Sequence, residues 1–169
     1  WSVIKYEFPA NGQREALTMT WSDGGKRPPL DMLEGEKFLE DSGGVVIEGT
    51  QGKLGSVGDY AEQVNYYHMD KPKVDYEKSP GHFDEWVIAI KGGPPAKSNF
   101  SDYAGPLTET ILLGNLAIWA EKRVEWDAKM IRATNAPELE SFVRRPYRDG
   151  YSLDYEPKNL RSGKASAAG

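Results

Sequence analysis

Two stretches near the start of the chain alternate apolar and polar residues, and this pattern restricts the fold more than any other feature of the sequence. The alternation runs over 4–8 and resumes over 17–21. A period of two is typical of β-strands that have one buried face. Pro9 and Gly12 lie between the two stretches and favour a turn. The chain is therefore predicted to begin with an antiparallel hairpin.

A second hairpin is predicted further along the chain. Val45–Ile47 and Lys53–Val57 are short strand-like runs, and the glycine-bounded segment Gly49–Gly52 favours a tight turn between them. The polar, tyrosine-rich segment 59–78 is predicted to be a loop with one edge strand. The charged segment 31–41 is predicted to hold at most one short helical turn.

The clearest helix is predicted to follow Ser79. Ser79 suits the N-cap, Pro80 suits the first helical position because its missing N–H costs nothing there, and Gly92 is a typical stop. One stripe at helical spacing is apolar, and we expect it to pack on a core. The residues of this stripe are Phe83, Trp86, Val87 and Ile90.

A second helix is predicted from Gly105 to Ala120. It is apolar nearly all round, which indicates burial on most sides. A glycine inside a helix costs about 1 kcal/mol relative to alanine, so we expect Gly114 to allow close contact with another backbone. A short strand at 124–126 and a brief third helix that ends before Pro146 are predicted to follow.

Together these elements predict an α+β fold, with a mostly antiparallel β-sheet and two or three helices packed on one face. The 169 residues suffice for one domain of ordinary size. The segment 154–169 is rich in Ser, Ala, Gly and Lys, a composition that cannot bury enough apolar surface to order itself. We expect it to be a poorly ordered tail.

Charge and composition exclude several classes of function. A net charge of -5 would repel a phosphate backbone, so nucleic acid is not expected as a partner. No apolar run is long enough to span a membrane. The absence of cysteine excludes disulfides, thiolate nucleophiles and cysteine-ligated zinc. Composition leaves the compartment open between cytoplasm and periplasm.

The sequence contains none of the familiar catalytic or nucleotide-binding signatures. No two glycines lie two residues apart, so G-x-G-x-x-G is absent, and no G-x-x-x-x-G-K-[ST] occurs. His68 and His82 are the only imidazoles, and neither has a partner at metal-ligand spacing. Asp84 and Glu85 are neighbours on a predicted helix and cannot form a facing carboxylate pair. We therefore assign no catalytic, cofactor-binding or metal-binding residue to this chain.

The densest group of charged hydrogen-bonding side chains lies in the loop Asp23–Pro29. Asp23, Lys26 and Arg27 follow an aromatic strand and can hold a polyol through charge-assisted hydrogen bonds. A charged surface turn is the alternative. His82 lies in the first turn of a predicted helix, where the helix dipole favours a neutral ring, and it is either a ligand contact or a structural capping group. These four residues are the candidate substrate contacts.

An ordered string of short motifs runs through the second half of the chain. It comprises Ser79-Pro80-Gly81-His82-Phe83 through Trp86, Lys91-Gly92-Gly93, Ser98-Asn99-Phe100, Tyr103-Ala104-Gly105-Pro106-Leu107-Thr108-Glu109, Leu112-Leu113-Gly114-Asn115, Glu125-Trp126-Asp127, Thr134-Asn135-Ala136-Pro137 and Arg144-Arg145 through Tyr147-Arg148. This string resembles the C-terminal part of bacterial Gfo/Idh/MocA-family oxidoreductases of the planctomycete type. The segments 1–9, 21–29 and 46–53 are similar to strands of the same subgroup, so the resemblance extends over 1–153.

The resemblance implies a two-domain enzyme. In this family an N-terminal Rossmann domain binds NAD or NADP, and a C-terminal α+β domain spreads a large, mostly antiparallel sheet behind the substrate pocket. The chain matches only the later portion of that second domain, so the family's cofactor glycines and its catalytic Lys, Asp and His would precede Trp1. Asp70-Lys71-Pro72 is similar to the family's E-K-P motif, but no Rossmann strand pattern precedes it and we take it as a coincidence.

The expected function is that of a C-terminal substrate-side and oligomerisation domain of an NAD(P)-dependent oxidoreductase acting on a sugar or polyol. The expected partners are the missing Rossmann domain and further copies of the chain, bound through the sheet. Alone, the chain is expected to bind no cofactor and to be inactive. A free-standing carbohydrate-binding or assembly module is the alternative. The aromatic residues that can either stack on a sugar or belong to a core are Tyr66, Tyr67, Trp86, Tyr103 and Trp119.

Overall fold

The computed structural model describes residues 1–29, 32, 43–58, 60, 63–148 and 151. The predicted helical turn within 31–41, apart from Met32, and the predicted tail at 154–169 lie outside these residues. The described residues form an α+β protein with antiparallel strand pairing and three α-helices, which confirms the predicted fold class at that level. The chain divides into two compact units, one of Trp1–Val3 and Trp21–Lys78, the other of Ile4–Thr20 and Ser79–Gly169.

The N-terminal hairpin is formed as the alternation predicts. Strands β1 (Val3–Phe8) and β2 (Leu17–Ser22) pair in a two-stranded sheet. The even-numbered residues of β1 are half-buried and the odd-numbered ones are exposed, so the alternation separates two faces in this strand. In β2 the predicted buried face is not found, because 17–21 are all exposed. In the connecting turn the Asn11 side chain accepts hydrogen bonds from the backbone N–H groups of Gln13 and Arg14, each at 3.1 Å. This local bonding is typical of asparagine in turns.

The first unit contains a three-stranded antiparallel sheet in the order β3-β4-β5. Its strands are β3 (Gly44–Gly49), β4 (Gly52–Val57) and β5 (Gln63–Tyr67). Gly49 pairs with Gly52, so the second predicted hairpin and its tight turn are confirmed. β5 is the predicted edge strand, and it pairs with β4 so that Leu54 lies opposite Tyr66.

The second unit carries the helices and a small core. It contains α1 (His82–Ile90), a π-helical turn at Phe100–Ala104, α2 (Gly105–Ala120), the strand pair β6 (Trp126–Asp127) and β7 (Arg132–Ala133), a 3₁₀ turn at Pro137–Leu139 and α3 (Glu140–Val143). Four described apolar residues are buried and form one cluster. They are Leu116, Ala133, Ala136 and Leu139.

Helix α1 begins two residues later than the Pro80 start that the sequence predicts. Gly81 has a φ of 116°, which is not helical, and this conformation places the first helical residue at His82. Ser79 does not cap the helix, because its hydroxyl accepts from the Gly81 N–H at 3.0 Å and donates to the Glu85 carboxylate. Gly92 follows the helix with a φ of 84° and is the predicted stop.

The prediction that the apolar stripe of α1 packs on a core is wrong. Phe83 is 85% exposed, Trp86 is 62% exposed and Ile90 is 66% exposed. No residue of α1 is buried. An amphipathic pattern favours burial only where another apolar surface lies opposite, and nothing among the described residues covers this one. We refer to Phe83, Trp86, Val87 and Ile90 below as the α1 stripe.

The prediction that α2 is buried on most sides is also wrong. Only Gly114 and Leu116 of this helix are buried. Five of its large apolar residues are about half exposed, namely Leu107, Ile111, Leu112, Ile118 and Trp119. A helix that is apolar all round needs neighbours on every side, and in the described residues β1 and the segment after α2 cover only part of it.

Gly114 does make a close contact, but with side chains of β1 and not with another backbone. A Cβ atom at Gly114 would overlap the Tyr6 hydroxyl oxygen and would lie 3.1 Å from Ile4 Cδ1. Burial against the helix raises the pKa of Tyr6 above its ordinary value, and its contact with the Gly114 backbone partly offsets this effect. An ion pair of 2.8 Å between Glu7 and Arg123 joins the same strand to the end of the α2 region.

Candidate functional site

The predicted substrate loop begins with an aspartate that holds the N-terminal hairpin together. Asp23 accepts hydrogen bonds from the Ser2 N–H at 2.6 Å, the Ser2 hydroxyl at 2.7 Å and Trp21 Nε1 at 3.2 Å. Its own N–H donates to the Ser2 carbonyl at 3.0 Å. The bonds from Ser2, with a smaller contribution from Trp21, lower the pKa of Asp23.

Lys26 and Arg27 are the two basic residues of this loop. The Lys26 N–H donates to the Asp23 carbonyl at 3.1 Å, and the Lys26 ammonium lies 4.5 Å from the centre of the Trp1 ring, within cation–π distance. Arg27 is exposed in the same loop. The chain thus brings Asp23, Lys26 and Arg27 together, and the first two already contact the hairpin. Their role toward a substrate stays a prediction.

His82 belongs to the second unit, whereas the Asp23 loop belongs to the first. It is the first residue of α1 and is exposed. His82 lies near enough to Glu85 to help lower the pKa of that carboxyl, although the Ser79 hydroxyl is the largest cause and the Lys97 N–H is the second. His82 therefore lies at a helix start, and its role toward a substrate stays a prediction.

Replacing Asp23 with asparagine is expected to make the stability of the protein less dependent on pH in the acid range. Because the folded-state pKa of Asp23 is depressed, the stabilisation is complete above the unfolded pKa of about 3.9 and is lost as the pH falls through the folded value. The melting temperature of the wild type should therefore fall more than that of Asp23→Asn between pH 6 and pH 2. Parallel curves for the two proteins would contradict the hydrogen-bonding role of Asp23.

The second unit contains a half-open cavity of about 670 Å³, within the range of small-molecule sites. We call it the α2 cavity. The π-helical turn, α2, the segment after β6, and α3 form its walls. Most of its lining is apolar or aromatic. Its aromatic and charged lining residues are Phe100, Glu109, Trp119, Trp126, Lys129 and Phe142.

Two contacts between side chains shape the wall of the α2 cavity. Trp126 Nε1 donates a hydrogen bond of 2.7 Å to Glu109 Oε1, which fixes the carboxylate against the indole. The rings of Trp119 and Phe142 lie 4.7 Å apart at an interplanar angle of 49° and form an aromatic corner. The cavity therefore combines aromatic faces with a carboxylate held in a fixed position.

Only part of this cavity could be predicted from the sequence. Trp119 is among the aromatic residues named in the sequence analysis. Glu109 is not, because an acidic residue near the start of a helix is already favoured by the positive end of the helix dipole. Its bond to Trp126 spans 17 residues. No local motif predicts a contact of that kind, since it depends on how the chain turns after α2.

No metal centre is found in the part of the chain that the structure describes, since it holds no cluster of three or more His, Cys, Asp or Glu side chains suited to an ion. Within the same residues, each helix is too short or too polar to cross a membrane. Comparison of the chain with protein-family models, with curated proteins and with solved structures found no match.

Proposed function

We propose that this chain is the C-terminal substrate-side and oligomerisation domain of an NAD(P)-dependent oxidoreductase of the Gfo/Idh/MocA family, acting on a sugar or polyol. The observation that carries the proposal is the ordered string of motifs over 79–148, together with the similar strand segments in the first half. The α+β class with antiparallel sheets is compatible with it. In this proposal the Asp23 loop and His82 face the substrate of the whole enzyme.

The uncovered apolar helix surfaces support a role inside a larger protein. The α1 stripe and the outer side of α2 expose large apolar side chains, including two tryptophans that are each 62% exposed, Trp86 and Trp119. Contiguous exposed apolar surface is rare on isolated soluble proteins and is typical of contact surfaces. The same tryptophans also favour the alternative of a free-standing carbohydrate-binding module, since exposed aromatic rings can stack on sugars.

The chain's own residues do not fit a dinucleotide. A dinucleotide site needs a glycine-rich loop that joins a strand directly to a helix N-terminus. The sequence has no such loop, α1 begins well after β5 ends, and α2 follows a π-helical turn. We therefore derive no hydride-transfer step from this chain, and the proposal assigns the cofactor to the Rossmann domain of the parent enzyme.

The isolated chain is expected to bind neither NAD(H) nor NADP(H) and to oxidise no sugar. A longer protein that contains this segment behind a Rossmann domain is expected to oxidise a sugar or polyol with NAD or NADP. Calorimetric titration of the isolated chain and a spectrophotometric assay of the longer protein provide the two measurements. Micromolar binding of either dinucleotide to the isolated chain, or a longer protein without dehydrogenase activity on a sugar panel, would contradict the proposal.

The three-stranded sheet of the first unit offers a surface for self-association. The register places Val45, Ile47, Leu54, Val64 and Tyr66 on one face. Ile47 is 54% exposed and Val45 is 43% exposed. An apolar sheet face that is open to water favours pairing with a second copy.

The chain is therefore expected to sediment as a dimer or larger assembly at tens of micromolar. Ile47→Lys places a charge on the apolar face and should shift the protein to monomer, whereas Thr50→Lys adds the same charge in the adjacent turn and should not. A wild-type monomer would count against self-association. If the assembly persists in Ile47→Lys, the contact between copies does not lie on this face.

A further inference from the structure

The α2 cavity is not used by the proposed function, and its chemistry differs from that of a sugar site. A polyol needs a hydrogen-bonding partner for each hydroxyl that it buries. The lining is instead mainly apolar and aromatic, with Glu109, Lys129 and Ser101 as its few polar side chains. A ligand of the α2 cavity is therefore expected to differ chemically from the sugar or polyol of the oxidoreductase proposal.

Aromatic side chains line the half-open α2 cavity, and aromatic rings suit a cation with an apolar body. Phe100, Trp119, Trp126 and Phe142 all contribute to the wall. The face of an aromatic ring is the negative part of its quadrupole, and several such faces around one space are the usual means of recognising organic ammonium ions. The tilted pair of Trp119 and Phe142 presents rings in two orientations to that space.

Glu109 adds a fixed negative charge. Its Oε1 atom accepts from Trp126 Nε1, and the remaining lone pairs and the second oxygen of the carboxylate are still able to interact with a ligand. Because the indole holds the carboxylate in place, a ligand does not have to order it on binding. Glu109 is also half-buried in an apolar wall, so its charge is screened less than it would be in open water.

Lys129 is the other charged residue of the lining. It lies in the exposed turn after β6, where its N–H donates to Asp127 Oδ1 at 3.0 Å. An exposed ammonium is hydrated and screened, so its repulsion of a ligand is weaker than the attraction of Glu109. The charge that is held in the cavity wall is therefore the carboxylate of Glu109.

From these features we propose that the α2 cavity binds an organic ammonium ion that carries an apolar or aromatic group. The aromatic rings hold the cation and its apolar body, and the Glu109 carboxylate neutralises the charge. The volume of about 670 Å³ admits a ring with an alkylammonium substituent.

The test compares three probes that share one benzene ring and differ in charge: benzyltrimethylammonium, benzyl alcohol and phenylacetate. Calorimetric titration of the 169-residue chain is expected to show the ammonium binding at least about tenfold more tightly than the other two. Glu109→Gln keeps an oxygen acceptor for Trp126 and should weaken ammonium binding about tenfold, with no effect on benzyl alcohol. Glu121→Gln removes the same charge at the exposed end of α2 and is the matched control, expected to bind as the wild type does.

A second variant tests the aromatic wall. Trp119→Leu should also weaken ammonium binding, and circular dichroism would verify that both cavity variants keep the wild-type fold. Equal affinity for the ammonium and the alcohol, tighter binding of phenylacetate, or no binding of any probe would overturn the proposal. If no probe binds and Trp119→Leu dissociates a self-associated chain, the cavity is occupied by a second copy of the chain and the proposal is overturned.

Discussion

Leucine in place of Gly114 is expected to destabilise the second unit by about 1 to 3 kcal/mol through overpacking. Even the first atom of a side chain at this position would overlap the Tyr6 hydroxyl and crowd Ile4. Tyr6 and Ile4 belong to β1, so a larger side chain must push the strand away from α2. Chemical denaturation of the wild type and the variant measures the difference in unfolding free energy.

Two further variants separate crowding from helix propensity. Asn115→Leu changes the exposed neighbouring residue on the same helix and should be nearly neutral. Gly114→Ala should destabilise less in a Tyr6→Phe background, because the oxygen that the new Cβ would meet is then absent. An unchanged stability for Gly114→Leu would mean that β1 does not pack on this helix.

Leu116→Ala is expected to cost about 2 to 5 kcal/mol, the usual range for removing a buried leucine. Leu116 is 8% exposed and is the buried side chain that α2 contributes to a core with Ala133, Ala136 and Leu139, against which five partly buried apolar residues pack. Its truncation removes apolar contacts and leaves a space among these residues. Thermal and denaturant unfolding should both show the loss.

The same substitution at Leu107 is the matched control. Leu107 lies on the same helix and is 48% exposed, so Leu107→Ala should change the unfolding free energy by well under half as much as Leu116→Ala. Equal effects of the two substitutions would place the core elsewhere than around Leu116.

Local signals in the sequence were sufficient to predict the two hairpins and the end of α1. The alternation in β1, the glycines that bound the second hairpin and the Gly92 stop each act within a few residues, and each is found in the structure. The start of α1 differs because Gly81 adopts a non-helical φ, whereas the pattern alone favoured Pro80.

Burial could not be predicted in the same way. Periodicity shows that the α1 stripe is apolar, but it does not show whether another surface lies opposite, and Phe83 remains 85% exposed. Gly114 was correctly expected to be a point of close contact, yet its partner Tyr6 lies more than 100 residues earlier in the chain. Such distant pairings depend on the fold as a whole.

In the candidate site, too, the residue types could be predicted from the sequence but their contacts could not. The charged loop at Asp23 is visible in the sequence as a cluster, but its bonds to Ser2 span 21 residues and give Asp23 a structural role that the cluster does not reveal. The bond between Glu109 and Trp126 is likewise a product of the fold. Residue type and spacing therefore located one charged group and missed the fixed carboxylate of the α2 cavity.

The most direct test of the proposed function is the mass of the native polypeptide that carries this sequence. An antibody raised against 79–148 would isolate that polypeptide from its source cells, and mass spectrometry of the denatured protein would give its mass and its peptides. The account predicts a polypeptide much heavier than 18.8 kDa, with peptides that precede Trp1 and include a G-x-G-x-x-G loop. A native polypeptide of 18.8 kDa with no such peptides would contradict it.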